Sequence, residues 1–205
     1  MVKTVSLLVL ICLYQFPSFF NKHNLHYSEN GDLISVFKNT PINAPYKGKI
    51  ANDTLHLVLK DDFVYYPFGT FDNLENLKTS QPKAFIFDKK QVAPYKDNSS
   101  KKEKIYYLGT KNSYLGAYFN KSSKKYEIVS SIIMDNEMSL KNGVLLGITK
   151  EELFKTIKVN PGLGTSAINI VQVESPNKAI NHYYRFAGNK LAAIVILSEH
   201  FYKVK

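Results

Sequence analysis

The chain has 205 residues, which is enough for one larger domain or two small ones around a real core. Hydrophobic residues make up 44% and charged residues 21%, which excludes a disordered polyelectrolyte; the 13% of aromatics are all Tyr and Phe, types that favour strands. The formal charge is +10, yet Arg185 is the only arginine, so the chain lacks the planar forks that specific phosphate and base recognition uses.

The N-terminus reads as an address. Lys3 precedes an almost unbroken apolar run from Val5 to Leu13, which Phe16 to Phe20 extends after Gln15 and Pro17. A basic start and a short apolar stretch are the parts of a secretory signal, and the run falls short of the roughly 20 residues that cross a bilayer. Cleavage near Phe20 is the first expectation, an uncleaved anchor the second. Lipid attachment at Cys12 is the third, because Ile11 stands where a lipoprotein signal carries a small residue. Cys12 is the only cysteine, so removal of the leader leaves no disulfide, no thiolate nucleophile and no cysteine-ligated zinc.

Beyond the leader, "TLHLVL" alternates, placing Leu55, Leu57 and Leu59 on one face and His56 on the other. "FVYYPF" and "KAFIF" read as further aromatic strands, with Asp61-Asp62 as a turn before the first. "FDNLENL" suits a short helical turn with Asp72 as its cap. The polar run Lys96 to Lys104 is the best internal break. After it, "KIYYLG", "YLGAYF" and "YEIVSSIIM" predict strands, the last two joined by a turn at Asn120 to Lys125. The lysine groups at Lys89-Lys90, Lys101-Lys102-Lys104, Lys121 and Lys124-Lys125 lie among Asn, Ser and Asp and read as solvated loops and strand edges.

The stretch from Leu140 to Ile157 carries a helix start. Thr149 is an N-cap, Glu152 completes a capping box, and Ile148 with Leu153 forms a hydrophobic staple. Glu151 and Glu152 suit the first turn, Lys155 and Lys158 the end, and Pro161-Gly162 predicts the stop. "NPGLGTS" follows as a loop and "INIVQV" as a strand. "HYYRFAGNKLAAIVIL" is a hairpin turning at Gly188-Asn189; that loop pairs Phe186 with Leu191, Tyr184 with Ala193 and His182 with Val195. Both faces of its second strand are apolar, which predicts a central strand covered on both sides.

Gly147, Thr149, Glu152, Leu153, Tyr184, Phe186, Gly188 and Leu191 form a pattern that resembles the BamE (SmpA/OmlA)-like lipoproteins and, more loosely, the β-lactamase-inhibitor-like fold. The resemblance covers the last third to half of the chain. It implies an α+β scaffold, an envelope location and work through protein contacts rather than catalysis. The resulting organisation is a signal peptide or anchor over residues 1–20, a β-rich subdomain over 21–98, and an α+β subdomain of this type over 99–205.

Candidate chemistry is sparse. His23 and His26 are spaced like a metal pair but have no third ligand nearby in sequence, and His200 follows Glu199 as a chance exposed pair. The loop with Gly162, Gly164, Thr165 and Ser166 lacks a phosphate loop's lysine and its strand-to-helix context. Asp61-Asp62 and Glu151-Glu152 are adjacent pairs whose side chains diverge, unlike converging glycosidase carboxylates. Tyr65, Tyr66, Tyr106, Tyr107, Tyr114 and Tyr118 are the candidate binding residues, an aromatic surface for a sugar polymer or a peptide strand.

The expected fold is α+β: a mainly antiparallel β-sheet with one or two short helices packed on it. The expected function is a non-enzymatic, exported cell-envelope protein, periplasmic, outer-membrane-associated or secreted. It needs no cofactor and no metal, and it binds an envelope protein or surface polymer through a sheet face. Membrane association through the N-terminus is a further expectation. The alternatives are a hydrolase, which a pocket joining His182 or His200 to a carboxylate would favour, and a lysine-driven nucleic-acid binder, against which the leader argues.

Overall fold

The computed structural model describes residues 46–81, 87–94, 102–136, 138–161 and 165–198. Alternation lays down its strands. In β2 (Thr54–Leu59), Leu55, Leu57 and Leu59 are buried and the residues between them half-buried, the pattern that the leucine spacing dictates. β2 pairs antiparallel with β1 (Tyr46–Ala51) across a two-residue turn at Asn52-Asp53, where Asn52 takes a left-handed φ of 55°. β3 (Phe87–Pro94), β4 (Lys102–Gly109), β5 (Tyr114–Asn120) and β6 (Lys125–Ile133) follow; then come β7 (Ile170–Glu174), β8 (Ile180–Ala187) and β9 (Lys190–Ser198).

The nine strands form one sheet in the order β1-β2-β7-β8-β9-β6-β5-β4-β3. The expectation of a mainly antiparallel sheet holds with one correction: the sheet is mixed, because β2 and β7 run parallel. Asp53 starts that pair. Its carbonyl accepts from the amides of Asn169 at 2.8 Å and Ile170 at 3.1 Å, and its carboxylate accepts from the Asn169 side chain at 3.3 Å. Strands from either side of the polar break pair directly, β2 with β7 and β3 with β4.

Among the described residues the helices are few and short. "FVYY" is not a strand. It forms α1 (Asp62–Tyr65), and Asp61 is its N-cap, accepting from the Phe63 amide at 3.1 Å. α2 (Leu74–Thr79) is capped by Asn73 rather than Asp72, whose carboxylate is engaged by Lys125. α3 (Lys150–Thr156) has the full capping box: the Glu152 amide donates to the Thr149 hydroxyl at 3.1 Å, and the Thr149 amide donates to the Glu152 carboxylate at 2.6 Å. The Thr149 amide first, and then its hydroxyl, hold the Glu152 carboxyl below its usual range.

α3 ends before Pro161. Lys158 takes φ 56°, its amide reaches the Lys155 carbonyl at 3.2 Å, and the Val159 amide reaches the Phe154 carbonyl at 2.9 Å. These paired bonds close a left-handed C-terminal cap, with a lysine where glycine usually stands. "KAFIF" lies outside the described residues apart from Phe87, as do residues 162–164 of the "NPGLGTS" loop; its last residues open a 3₁₀ turn, Thr165–Ala167.

The β8–β9 hairpin turns at Gly188-Asn189 as expected, with Gly188 at φ 61°. Phe186 faces Leu191, but Ala192 is the extra residue of a bulge, so Tyr184 faces Ile194 and His182 faces Ile196. The register expected from the loop alone is corrected by one residue. β9 is central, between β8 and β6. Leu191, Ile194 and Ile196 are buried on one of its faces; Ala193, Val195 and Leu197 on the other are half-buried rather than covered. Val64, Leu77, Leu153 and Phe154 of the three helices share one buried cluster with Leu55, Leu57, Val171, Val173, Tyr184 and Ile196.

Candidate functional site

His182 is a fully buried titratable ring, and its contacts define its chemistry. It is 0% exposed on β8. Nε2 lies 2.9 Å from the Val64 carbonyl, which can only accept, so Nε2 carries the proton. Nδ1 is therefore the acceptor for the Tyr184 hydroxyl, 3.0 Å away. The Phe63 ring stands edge-on at 6.0 Å. Burial pushes the His182 pKa down to about 4, against a smaller opposing effect of the Val64 carbonyl, and burial also raises the Tyr184 phenol. Both ring nitrogens are occupied and neither meets a carboxylate. The arrangement holds α1 to β8; His200, His23 and His26 lie outside the described residues.

The six tyrosines do not share one surface, because neighbours on a strand point to opposite faces. Tyr107 of β4 and Tyr114 of β5 stand on one face with ring centroids 5.9 Å apart. Tyr107 lies opposite Gly116, where an added Cβ would meet the Tyr107 ring at 3.0 Å and the Ser130 hydroxyl at 2.4 Å. Gly116 thus makes room for an aromatic laid across the strand. Tyr118 is on the same face, with its hydroxyl 3.4 Å from Glu127, and Tyr107 and Tyr118 pack on buried Ile105 and Val129. Tyr106 points the other way, edge-on to Tyr126 at 5.8 Å. Tyr65 and Tyr66 belong to α1 and its C-cap, 6.4 Å apart. Tyr66 is 39% exposed, the most open of the six.

Tyr66 opens onto a cleft of about 300 Å³ that sequence reasoning missed. Asp62 and Phe63 line it from α1, Gly69 and Thr70 from the turn after it, and Lys141 and Asn142 from a turn before α3. The two turns are tied by the Lys141 amide on the Pro67 carbonyl at 2.7 Å. Gly69 and Gly143 hold φ of 86° and 84°, which glycine adopts freely. Asn142 Oδ1 accepts from the Val144 amide at 3.3 Å, which fixes the amide's orientation. Its Nδ2 is buried and has no hydrogen-bond partner among the described residues. Desolvation first, then the charges of Glu127 and Asp62, raise the Tyr66 phenol. The local signals for this cleft were present as Asp-Phe and Lys-Asn-Gly turn chemistry, but nothing in either segment announces that the two meet.

Lys150 is the one buried lysine among the described residues. Its Nζ donates to the Ser166 carbonyl at 3.2 Å and lies 5.8 Å above the Phe186 ring, pinning the 3₁₀ turn to α3. The described residues contain no group of three side chains able to hold a metal ion, and no helix among them is long and apolar enough to cross a membrane. No family model, no curated protein and no solved structure matches the chain.

Proposed function

We propose that the protein is a non-catalytic, exported component of the cell envelope that binds another protein or a surface polymer through a sheet face, on an α+β scaffold of the BamE-like type with its helices packed on the sheet. The observation that carries the reading is the patch around Gly116. Tyr107, Tyr114 and Tyr118 crowd one face of β4 and β5, half-buried, over Ile105 and Val129. Tyrosines held in this way present apolar ring area and a polar tip at little entropic cost, as binding surfaces do. Export is supported by the leader pattern; His182, whose ring nitrogens both serve packing, supplies no carboxylate dyad to the hydrolase alternative.

Fractionation of the producing cell, with mass determination of the mature chain, tests the location. An envelope or extracellular form lacking about the first 20 residues is expected; a full-length cytosolic form would overturn export. Co-sedimentation with purified envelope polymer and with envelope protein fractions tests the face. Tyr107→Ser, Tyr114→Ser and Tyr118→Ser combined should abolish binding and lower the thermal transition, because Tyr107 and Tyr118 pack on Ile105 and Val129; native-like amide dispersion below that transition shows the fold intact. Undiminished binding by the triple variant would remove the face from the proposal.

A further inference from the structure

We propose that the cleft beside Tyr66 is a subsite for a single uncharged, hydroxyl-rich ring, a saccharide unit. The inference stands on its own geometry, apart from the β4–β5 face. A volume of about 300 Å³ is at the small end of ligand pockets, room for one ring rather than a long chain. Tyr66 supplies an open aromatic face, to which the C–H side of a sugar ring is complementary.

The polar groups set the ligand's charge. Asp62 and Lys141 contribute one charge of each sign, so the cleft favours neither an anion nor a cation. Asp61 caps α1, which leaves the Asp62 carboxylate with no capping duty. Asn142 lines the cleft with its oxygen held by the Val144 amide and its Nδ2 closed off from the surface. The exposed Asp62 carboxylate accepts from hydroxyl O–H groups and the Lys141 ammonium donates to hydroxyl oxygens, so one neutral polyol can meet both.

The test is titration of the full ¹⁵N-labelled chain with glucose, galactose, mannose and N-acetylglucosamine in turn, and with sodium phosphate and sodium acetate as ionic controls. The Asn142 side-chain amide and the Gly69 backbone amide are the reporters. At least one sugar should move both saturably, with a dissociation constant on the order of 1 mM, the range of a small single-ring site. Tyr66→Ala should weaken that binding roughly tenfold, while Tyr66→Phe, which keeps the ring, should change it less than about threefold. Tyr66 is exposed enough that both variants should keep the parent thermal transition. No shift with any sugar overturns the proposal. So do shifts driven by phosphate or acetate instead, or sugar binding that Tyr66→Ala leaves unchanged. Loss of the β4–β5 tyrosines should leave this titration intact, which separates the two sites.

Discussion

α1 and α3 are both short helices that bury side chains in the same cluster, but they are held in opposite ways. α3 carries its own instructions: a reciprocal capping box at one end and a closed left-handed cap at the other, with Leu153 and Phe154 buried between them. α1 is a single turn of Asp-Phe-Val-Tyr, poor helix formers with one capping bond from Asp61. Its hold comes from across the molecule, where His182 reaches the Val64 carbonyl over a separation of 118 residues. One helix is written locally; the other exists because a distant strand provides a donor.

The comparison can be broken most forcefully at His182. His182→Ala should cost about 4 kcal/mol in urea unfolding, from the cavity and from leaving the Tyr184 hydroxyl and Val64 carbonyl buried without partners. Acid should do nearly as much. The folded pKa of about 4 lies below the free value of 6.5, so the neutral ring stabilises the fold fully above about pH 6.5. That stability is lost as pH falls through 4, for a total of about 3 kcal/mol. The difference in pH dependence between the parent and His182→Gln isolates this share from the carboxylates. Amide exchange locates it: protection of the Tyr66 amide on the Asp62 carbonyl should fall over this range, while the Ile157 amide of α3 keeps its own.

The smaller effects belong to the caps. Thr149→Ala should destabilise by about 1 kcal/mol, with helical signal lost at α3. Lys158→Gly should stabilise by about 1 kcal/mol, because glycine takes the left-handed cap position without the penalty of a side chain. Asp61→Ala should cost only about 0.5 kcal/mol, since the bond from His182 and not the cap holds α1. A loss at Asp61 larger than that at Thr149 would reverse the contrast between the two helices.

This contrast also explains what the sequence disclosed. α3, β2 and the two-residue turn at Gly188-Asn189 were legible because every signal for them lies within a few residues. "FVYY" misled because aromatic and β-branched residues favour strands, and the preference was overridden by a contact invisible to any local window. The bulge at Ala192 was hidden for a similar reason: a turn fixes register only until one strand gains a residue. Of the six candidate tyrosines, Tyr66 alone lines the cleft. Its companions Lys141 and Asn142 are ordinary turn residues until folding brings them beside it. Tyr106 was grouped with Tyr107 by adjacency, although adjacency on a strand is what separates them.

The parallel pairing of β2 with β7 has a consequence for how the chain comes off the ribosome. Asn169 meets Asp53 across 116 residues of sequence, so the first hairpin emerges long before its berth has been synthesised. At ordinary elongation rates that wait is on the order of ten seconds, during which β2 has no partner except β1. A polypeptide of this design stays unfinished until its C-terminal third is released.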